Sequence, residues 1–373
     1  MIELPTTFPV DTQDEESVFN WFKSEIETKS AMLGDDLAFA HMDPPTPDIA
    51  SRLVGLNAKF NQNLLHPHLS PFATEAERRV IEWIAPAFGM SDGQMCGGST
   101  LANLTALWCA RESGAQRVIA SADAHISIAK SAHILGMPYV SVPVDSVGRL
   151  DRTSLVGVKD AAIVLTAGTT GRGVIDALAP VEARWTHVDA AWAGPLIFTK
   201  YADRLAGMEH ADSISISAHK WLYQPKDSAL ILLKSSESLS KVSYGSSYLT
   251  TPNVGIQGSR GASAIPLLAT LLAWGQTGLA ARIEKSMADA DKLAELLADD
   301  EYTELKQYPE SGVVIWRPLR KSAEFTISQL FNISSQTKID GEIWLRQVAA
   351  NPNADIAKIW RAISAAVCAK PPS

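Results

Sequence analysis

Apolar residues recur along the chain in two rhythms. Ala76, Val80, Ile81 and Ile84 repeat on one helical face, and Thr74 with Glu77 three positions later makes a capping-box pattern, so a helix is predicted to begin there. Helical spacing also marks residues 15–27, 101–111, 126–135, 279–298 and 355–367. Between them lie short runs that are mostly apolar on both faces: 117–121, 139–142, 161–166, 187–190, 213–217, 229–233 and, later, 312–316. Strands of this kind, separated by helical or turn segments, predict a mainly parallel sheet covered on both sides. The Pro-rich HMDPPTP, His41 to Pro47, is predicted to be an extended surface connector. The chain thus divides into an N-terminal arm (1–65), a large α/β domain (66–280) and a smaller C-terminal α+β domain (281–373).

Composition narrows the class. With 373 residues, 46% hydrophobic and 20% charged, the chain has ample material for a core and is neither disordered nor fibrous. A formal net charge of −8 is the wrong sign for neutralising phosphate backbones or anionic lipid, so neither nucleic acid nor a membrane surface is an expected partner. Three cysteines, Cys96, Cys109 and Cys368, form neither a disulfide framework nor zinc-ligand spacing. The acidic N-terminus lacks the pattern of a signal peptide, and the apolar stretch 264–274 is about half a membrane span. A soluble, cytoplasmic protein without a metal is the expectation.

Five separated segments carry candidate chemistry. In SISISAHKWLYQP, Lys220 follows an apolar strand between His219 and Trp221, where partial desolvation makes an amine available as a nucleophile. In MCGGSTLANLTAL, Gly97, Gly98, Ser99 and Thr100 precede a helix, so N–H groups and hydroxyls converge as an anion cradle suited to a single phosphate. THVDAAWAG ends a strand in Asp189, a carboxylate suited to a pyridinium N–H. His125 opens a helix where its imidazole can stack on a flat ring, and Thr169 and Thr170 offer hydroxyls at the sheet edge where ligands of open α/β sheets bind.

The ordered set GGSTLAN, AHIS, TAGTTGRGVID, HVDAAWAG and SISISAHKW resembles the fold-type I, pyridoxal-phosphate-dependent group II amino-acid decarboxylases, over about residues 66–278. The resemblance implies an α/β fold with a mainly parallel seven-stranded sheet between helices. It implies that Lys220 forms a Schiff base with pyridoxal 5'-phosphate, that Asp189 pairs with the ring nitrogen, and that His125 stacks on one ring face with Ala191 on the other. Ser99 and Thr100 would bind the phosphate, helped by Ser217 and His219, and Thr169 or Thr170 would line the carboxylate side. Two further segments match: HPHLSPFATEAERRVIEWI, and SSYLTTPNVGIQGSRGASA with Tyr248, Ser259 and Arg260. In the family the tyrosine, on a mobile loop, protonates the carbanionic intermediate, and the GSR turn reaches the phosphate of the neighbouring subunit. Both imply a homodimer with active sites at the subunit interface.

The implied reaction is decarboxylation of an L-amino acid to its amine and CO₂. Alternatives are a carbon–carbon lyase or an aldehyde-forming decarboxylase of the same fold, and a non-catalytic cofactor-binding relative. His66, His68 and His41 show no metal-ligand spacing. The tryptophans read most simply as core and interface, and residue types alone do not identify the amino acid.

Overall fold

A computed structural model describes residues 6–368. The N-terminal arm carries two helices, α1 (Glu15–Lys29) and α2 (Asp48–Phe60). The predicted connector before α2 is not a surface crossing: Met42 and Pro44 are buried and Asp43 is half-buried. Next comes α3 (Pro71–Ile84), which begins three residues before Thr74, with proline in the first turn. Thr74 hydrogen-bonds back to the Ser70 carbonyl, and Glu77 is buried against Arg260 rather than closing a capping box.

The large sheet is built from β1 (Asp92–Cys96), β2 (Arg117–Ser121), β3 (Tyr139–Val142), β4 (Ala161–Thr166), β5 (Trp185–Asp189), β6 (Ser213–Ser217) and β7 (Ala229–Leu233), with α4 (Ser99–Glu112) and α5 (Ile126–Ile134) between its early strands. Its order is β1-β7-β6-β5-β4-β2-β3. The pairs from β6 through to β3 are parallel, and β7 alone runs against both its neighbours. The seven-stranded, mainly parallel sheet is thus present. Strand β1 is the element the sequence hid, because DGQMC has no apolar run.

Strand alternation sorts the core into two layers. Ile163 and Leu165 of β4, Val188 of β5, Ile214 and Ile216 of β6, and Leu230 and Leu232 of β7 face one layer, which also contains Val80 and Ile84 of α3. Ala162 and Val164, Trp185, and Ile231 and Leu233 face the other, against Ala106, Leu107 and Ala110 of α4. The same alternation turns His187, Asp189, Ser213, Ser215 and Ser217 toward α4. Register places His187 opposite Ser213 and Asp189 opposite Ser215.

After β7 come α6 (Ser236–Ser240) and a small hairpin, β8 (Ser243–Tyr244) with β9 (Asn253–Val254). Helix α7 (Ala264–Asp299) is long and apolar enough by composition to cross a membrane. It is broken at Gly275, whose φ of 60° and ψ of 177° are not helical, and Leu267, Ile283, Met287 and Leu293 along it are buried in the protein. The C-terminal part holds β10 (Thr303–Gln307), β11 (Val313–Pro318), α8 (Ala323–Gln329), β12 (Ser335–Ile339), β13 (Glu342–Val348) and α9 (Ile356–Cys368). Its antiparallel sheet has the order β10-β11-β13-β12. Trp192 and Trp221, with ring centroids 4.1 Å apart, dock the two parts. Their indole N–H groups donate to the carbonyls of Ser311 and Ala349. Gly312 fits beneath Trp221 with φ of 70°, where a Cβ would lie 3.0 Å from the indole, so only glycine meets both demands.

Candidate active site

The site forms at the C-terminal edge of the parallel strands, where successive strand ends diverge. Lys220 sits in the tight connection between β6 and β7. Ser217 and Tyr223 anchor it, the Lys220 N–H donating to Ser217 and its carbonyl accepting from Tyr223. In the same connection Tyr223 and Asp227 hold left-handed backbone, with φ of 61° and 60°, local strain of the kind functional loops carry. Burial pushes the Lys220 ammonium below its ordinary range, and Asp189 opposes that shift.

Asp189 is 4% exposed. One carboxylate oxygen accepts from the Ala191 N–H at 3.1 Å and the Ser215 hydroxyl at 3.3 Å, the other from the Asn103 amide at 3.0 Å. Among the described residues no cation lies within ion-pair distance of it. His125 caps α5, its Nδ1 accepting from the N–H of Ser127 at 3.2 Å and meeting the Ser127 hydroxyl at 2.8 Å. Desolvation lowers its basicity. His219 pairs with the Ser217 hydroxyl at 3.1 Å through Nε2 and with the Ser228 carbonyl through Nδ1. Burial first, then Lys226 and Lys220, takes its pKa down to about 4, so it is neutral at pH 7.

The predicted anion cradle sits at the N-terminus of α4. The Ser99 Oγ is buried there without a hydrogen-bond partner, an orphaned donor that a phosphate oxygen would satisfy. Thr100 is exposed, and the Gly97 N–H already donates to Gln257 at 2.8 Å. Of the two threonines, Thr169 is fully buried and its hydroxyl accepts from the Val174 N–H of its own turn at 3.3 Å. Thr170 is the exposed one. Ser99, His125, Asp189, Ala191, Ser217, His219 and Lys220 therefore share one region.

Tyr248 and Ser259 belong to a second region. Tyr248 is exposed with its ring 6.5 Å from His66, and the Ser259 hydroxyl accepts from Asn63 at 3.3 Å. Arg260 of the same GSR turn is held by Glu77 of its own chain at 2.9 Å. A cleft lined by Asn57, Asn61, Gly97, Lys226, Gln257 and Ser259 runs between the two regions.

Several residues escaped the sequence reading. Asp43 forms an ion pair with Lys226 and acts on Lys220 and Arg346. Arg346, on β13, is 7% exposed with its Nε unpartnered, and burial lowers its pKa to about 10. Asn103 and His187 lie wholly buried beneath Asp189. A charged residue in the apolar strand EIWLRQV, and polar residues at every second position of THVD and SISIS, were the available signals.

These residues suit pyridoxal phosphate: a buried amine, a buried carboxylate with no ion-pair partner, and an orphaned hydroxyl at a helix N-terminus. The family model for the pyridoxal-dependent decarboxylase conserved domain matches residues 1–318. The chain belongs to the pyridoxal-dependent decarboxylases. It is 31% identical to the L-2,4-diaminobutyrate decarboxylase of Rhizobium meliloti, over 86% of this chain and 75% of that protein. It is 28% identical to the aspartate 1-decarboxylase of Aliivibrio fischeri, over 74% and 62%. The glutamate decarboxylase domain of a Vibrio parahaemolyticus protein superposes with a TM-score of 0.85 at 22% identity, covering 97% of this chain and 87% of that one. Oryza sativa TDC, solved with PLP and tryptamine, gives 0.86 at 19% identity, covering 98% and 90%. This decarboxylase is thus a pyridoxal-phosphate-dependent carboxy-lyase acting on an L-amino acid, with the fold-type I architecture of those structures.

Proposed function

We propose that Lys220 carries the cofactor in a homodimer whose two active sites each draw on both subunits. The observation that carries this reading is the half-buried, largely desolvated Lys220 amine within electrostatic reach of a buried Asp189 that lacks an ion-pair partner. When bound, pyridoxal phosphate supplies an electron sink for the pair left on Cα as CO₂ departs. Lys220, depressed below its ordinary pKa by burial, has a larger neutral fraction for attack on a carbonyl. Asp189, oriented by three donors, would accept the ring N–H and keep the sink charged. Ser99 and the first N–H groups of α4 would hold the phosphate, and His125 and Ala191 would enclose the ring. Arg346, a buried guanidinium with an unpartnered Nε, takes a carboxylate of the substrate and fixes its orientation. Tyr248 delivers the proton to Cα from the partner subunit.

The homodimer rests on exposed apolar surface. Helix α1 has no buried residue, and Phe19, Phe22 and Ile26 on it are exposed, as are Phe60, Phe72 and Trp83 of the adjoining helices. Exposed large apolar side chains in this number suit a surface that a second copy covers.

Purified protein should show the visible absorption of bound cofactor, release CO₂ from at least one of the standard amino acids, and sediment as a dimer. Lys220→Ala should lose both the band and the activity. A variant that keeps the band would refute the lysine assignment.

A further inference from the structure

Beneath Asp189 lies a polar chain that no step above uses. Asn103 of α4, wholly buried, donates through its amide nitrogen to Asp189 at 3.0 Å and to the Ser127 hydroxyl at 2.9 Å. Its carbonyl oxygen meets the Ser215 hydroxyl at 2.6 Å and the Nε2 of His187 at 3.0 Å. His187, also wholly buried, meets the Ser213 hydroxyl through Nδ1 at 2.9 Å, and that hydroxyl accepts from the Trp185 indole at 2.9 Å.

The polarity of this chain is forced. An amide nitrogen only donates and a carboxylate only accepts, so turning Asn103 over would set its oxygen against Asp189. With the oxygen fixed toward His187, a proton of that imidazole lies on Nε2; Nδ1 faces both the Ser213 hydroxyl at 2.9 Å and the Ser213 carbonyl at 3.2 Å, and the shorter contact assigns it as the acceptor of the hydroxyl proton. On the other arm, the Ser127 hydroxyl accepts from Asn103 and gives its own proton to His125 Nδ1. That nitrogen is then an acceptor, and the His125 proton lies on Nε2. Every donor and acceptor of Asn103 is used, which in a low-dielectric interior makes the arrangement rigid.

We propose that Asn103 is the positioning residue of this active site: a single amide that aligns the Asp189 carboxylate for the ring nitrogen and, through the Ser127 hydroxyl, reinforces the His125 tautomer that the Ser127 N–H already selects. This deepens the cofactor reading above and rests on it. Asn103 touches neither substrate nor cofactor in this assignment. It acts through the acid that holds the nitrogen and through the imidazole that faces the ring.

The test uses full-length protein stripped of cofactor, titrated by fluorescence with pyridoxal phosphate and with the carbocyclic analogue in which the ring nitrogen is replaced by C–H. Wild type should bind pyridoxal phosphate about tenfold or more tighter than the analogue, the scale of a charge-assisted hydrogen bond. Asn103→Leu should abolish that preference while binding the analogue within about threefold of wild type. Equal weakening of both ligands, or a preserved preference, overturns the proposal. A wild type that binds neither ligand overturns the cofactor reading and this proposal with it. A second measurement needs no variant: nitrogen-15 NMR of histidine-labelled wild type should show His187 and His125 neutral at pH 7.5 with the proton on Nε2. A proton on Nδ1 of either ring overturns the assignment, whether or not Asn103→Leu folds.

Discussion

Two regions of this decarboxylase handle exposure in opposite ways. The layer between β5, β6 and α4 buries Asn103, His187, Asp189 and three serines and leaves each of them hydrogen-bonded within one chain. The arm, the outer face of α3 and the 243–261 segment do the reverse, leaving Phe19, Phe60, Phe72 and Tyr248 in solvent. The first region is complete as it stands, because buried polar groups must be paired to be tolerated. The second is unfinished, because large apolar side chains gain only when something covers them. In the proposed assignment the amine, acid and phosphate ends of the site come from the first region and the proton donor from the second.

The largest test of this contrast is Asp189→Ala. It removes the anion that the buried network serves, and turnover should fall on the order of 10³-fold in steady-state assays of CO₂ release, with the dimer intact. A fall of less than tenfold would mean that the network is only structural.

Acidification probes the same layer through stability. Burial drops the pKa of His187 to about 4, against about 6.5 for the unfolded chain. Between those values the unfolded state binds more protons, so stability is lost as pH falls from about 6.5 to 4, by about 3 kcal/mol. His219, also lowered to about 4, adds in the same direction. Urea unfolding at pH 7 and pH 4.5 should show the loss, and His187→Gln should remove most of one proton's share of the slope.

The second region predicts a different pattern. Tyr248→Phe should lower kcat about 100-fold and leave unfolding within about 0.5 kcal/mol of the parent, since the ring is exposed. Co-expressed with Lys220→Ala, itself inactive, it should regain about a quarter of wild-type activity, because mixed dimers hold one intact site each. No recovery would place Tyr248 in its own subunit's site. The smallest effect is expected from Phe72→Asp. It should weaken self-association by about 1–3 kcal/mol in sedimentation equilibrium, with near-unchanged tryptophan fluorescence of the folded chain.

Much of the fold was legible because its signals are local. The six strands from 117 to 233 are short apolar runs, and the helical stretches 279–298 and 355–367 after them carry 3.6-residue spacing, so element type followed from pattern. Strand β1 was missed because Asp92, Gly93 and Gln94 carry no such pattern; their strand is imposed by pairing with β7. The α3 start was misplaced for a related reason. Thr74 and Glu77 fit a cap in sequence, but Glu77 was needed by Arg260, 183 residues away.

The sequence by itself determined the chemistry: an amine at 220, an acid at 189, a hydroxyl-rich helix start at 99 and a tyrosine at 248, each within a local motif whose residue types constrain what it can do. Tertiary structure alone decided which of these share a pocket, that Thr169 is bonded within its own turn, and that Asp43, Asn103 and Arg346 stand with the lysine. The reason is distance along the chain. A motif fixes neighbours a few residues apart, whereas Asn103, Asp189, Ser215 and Arg346 meet only because strand register and helix packing bring them to one edge of the sheet.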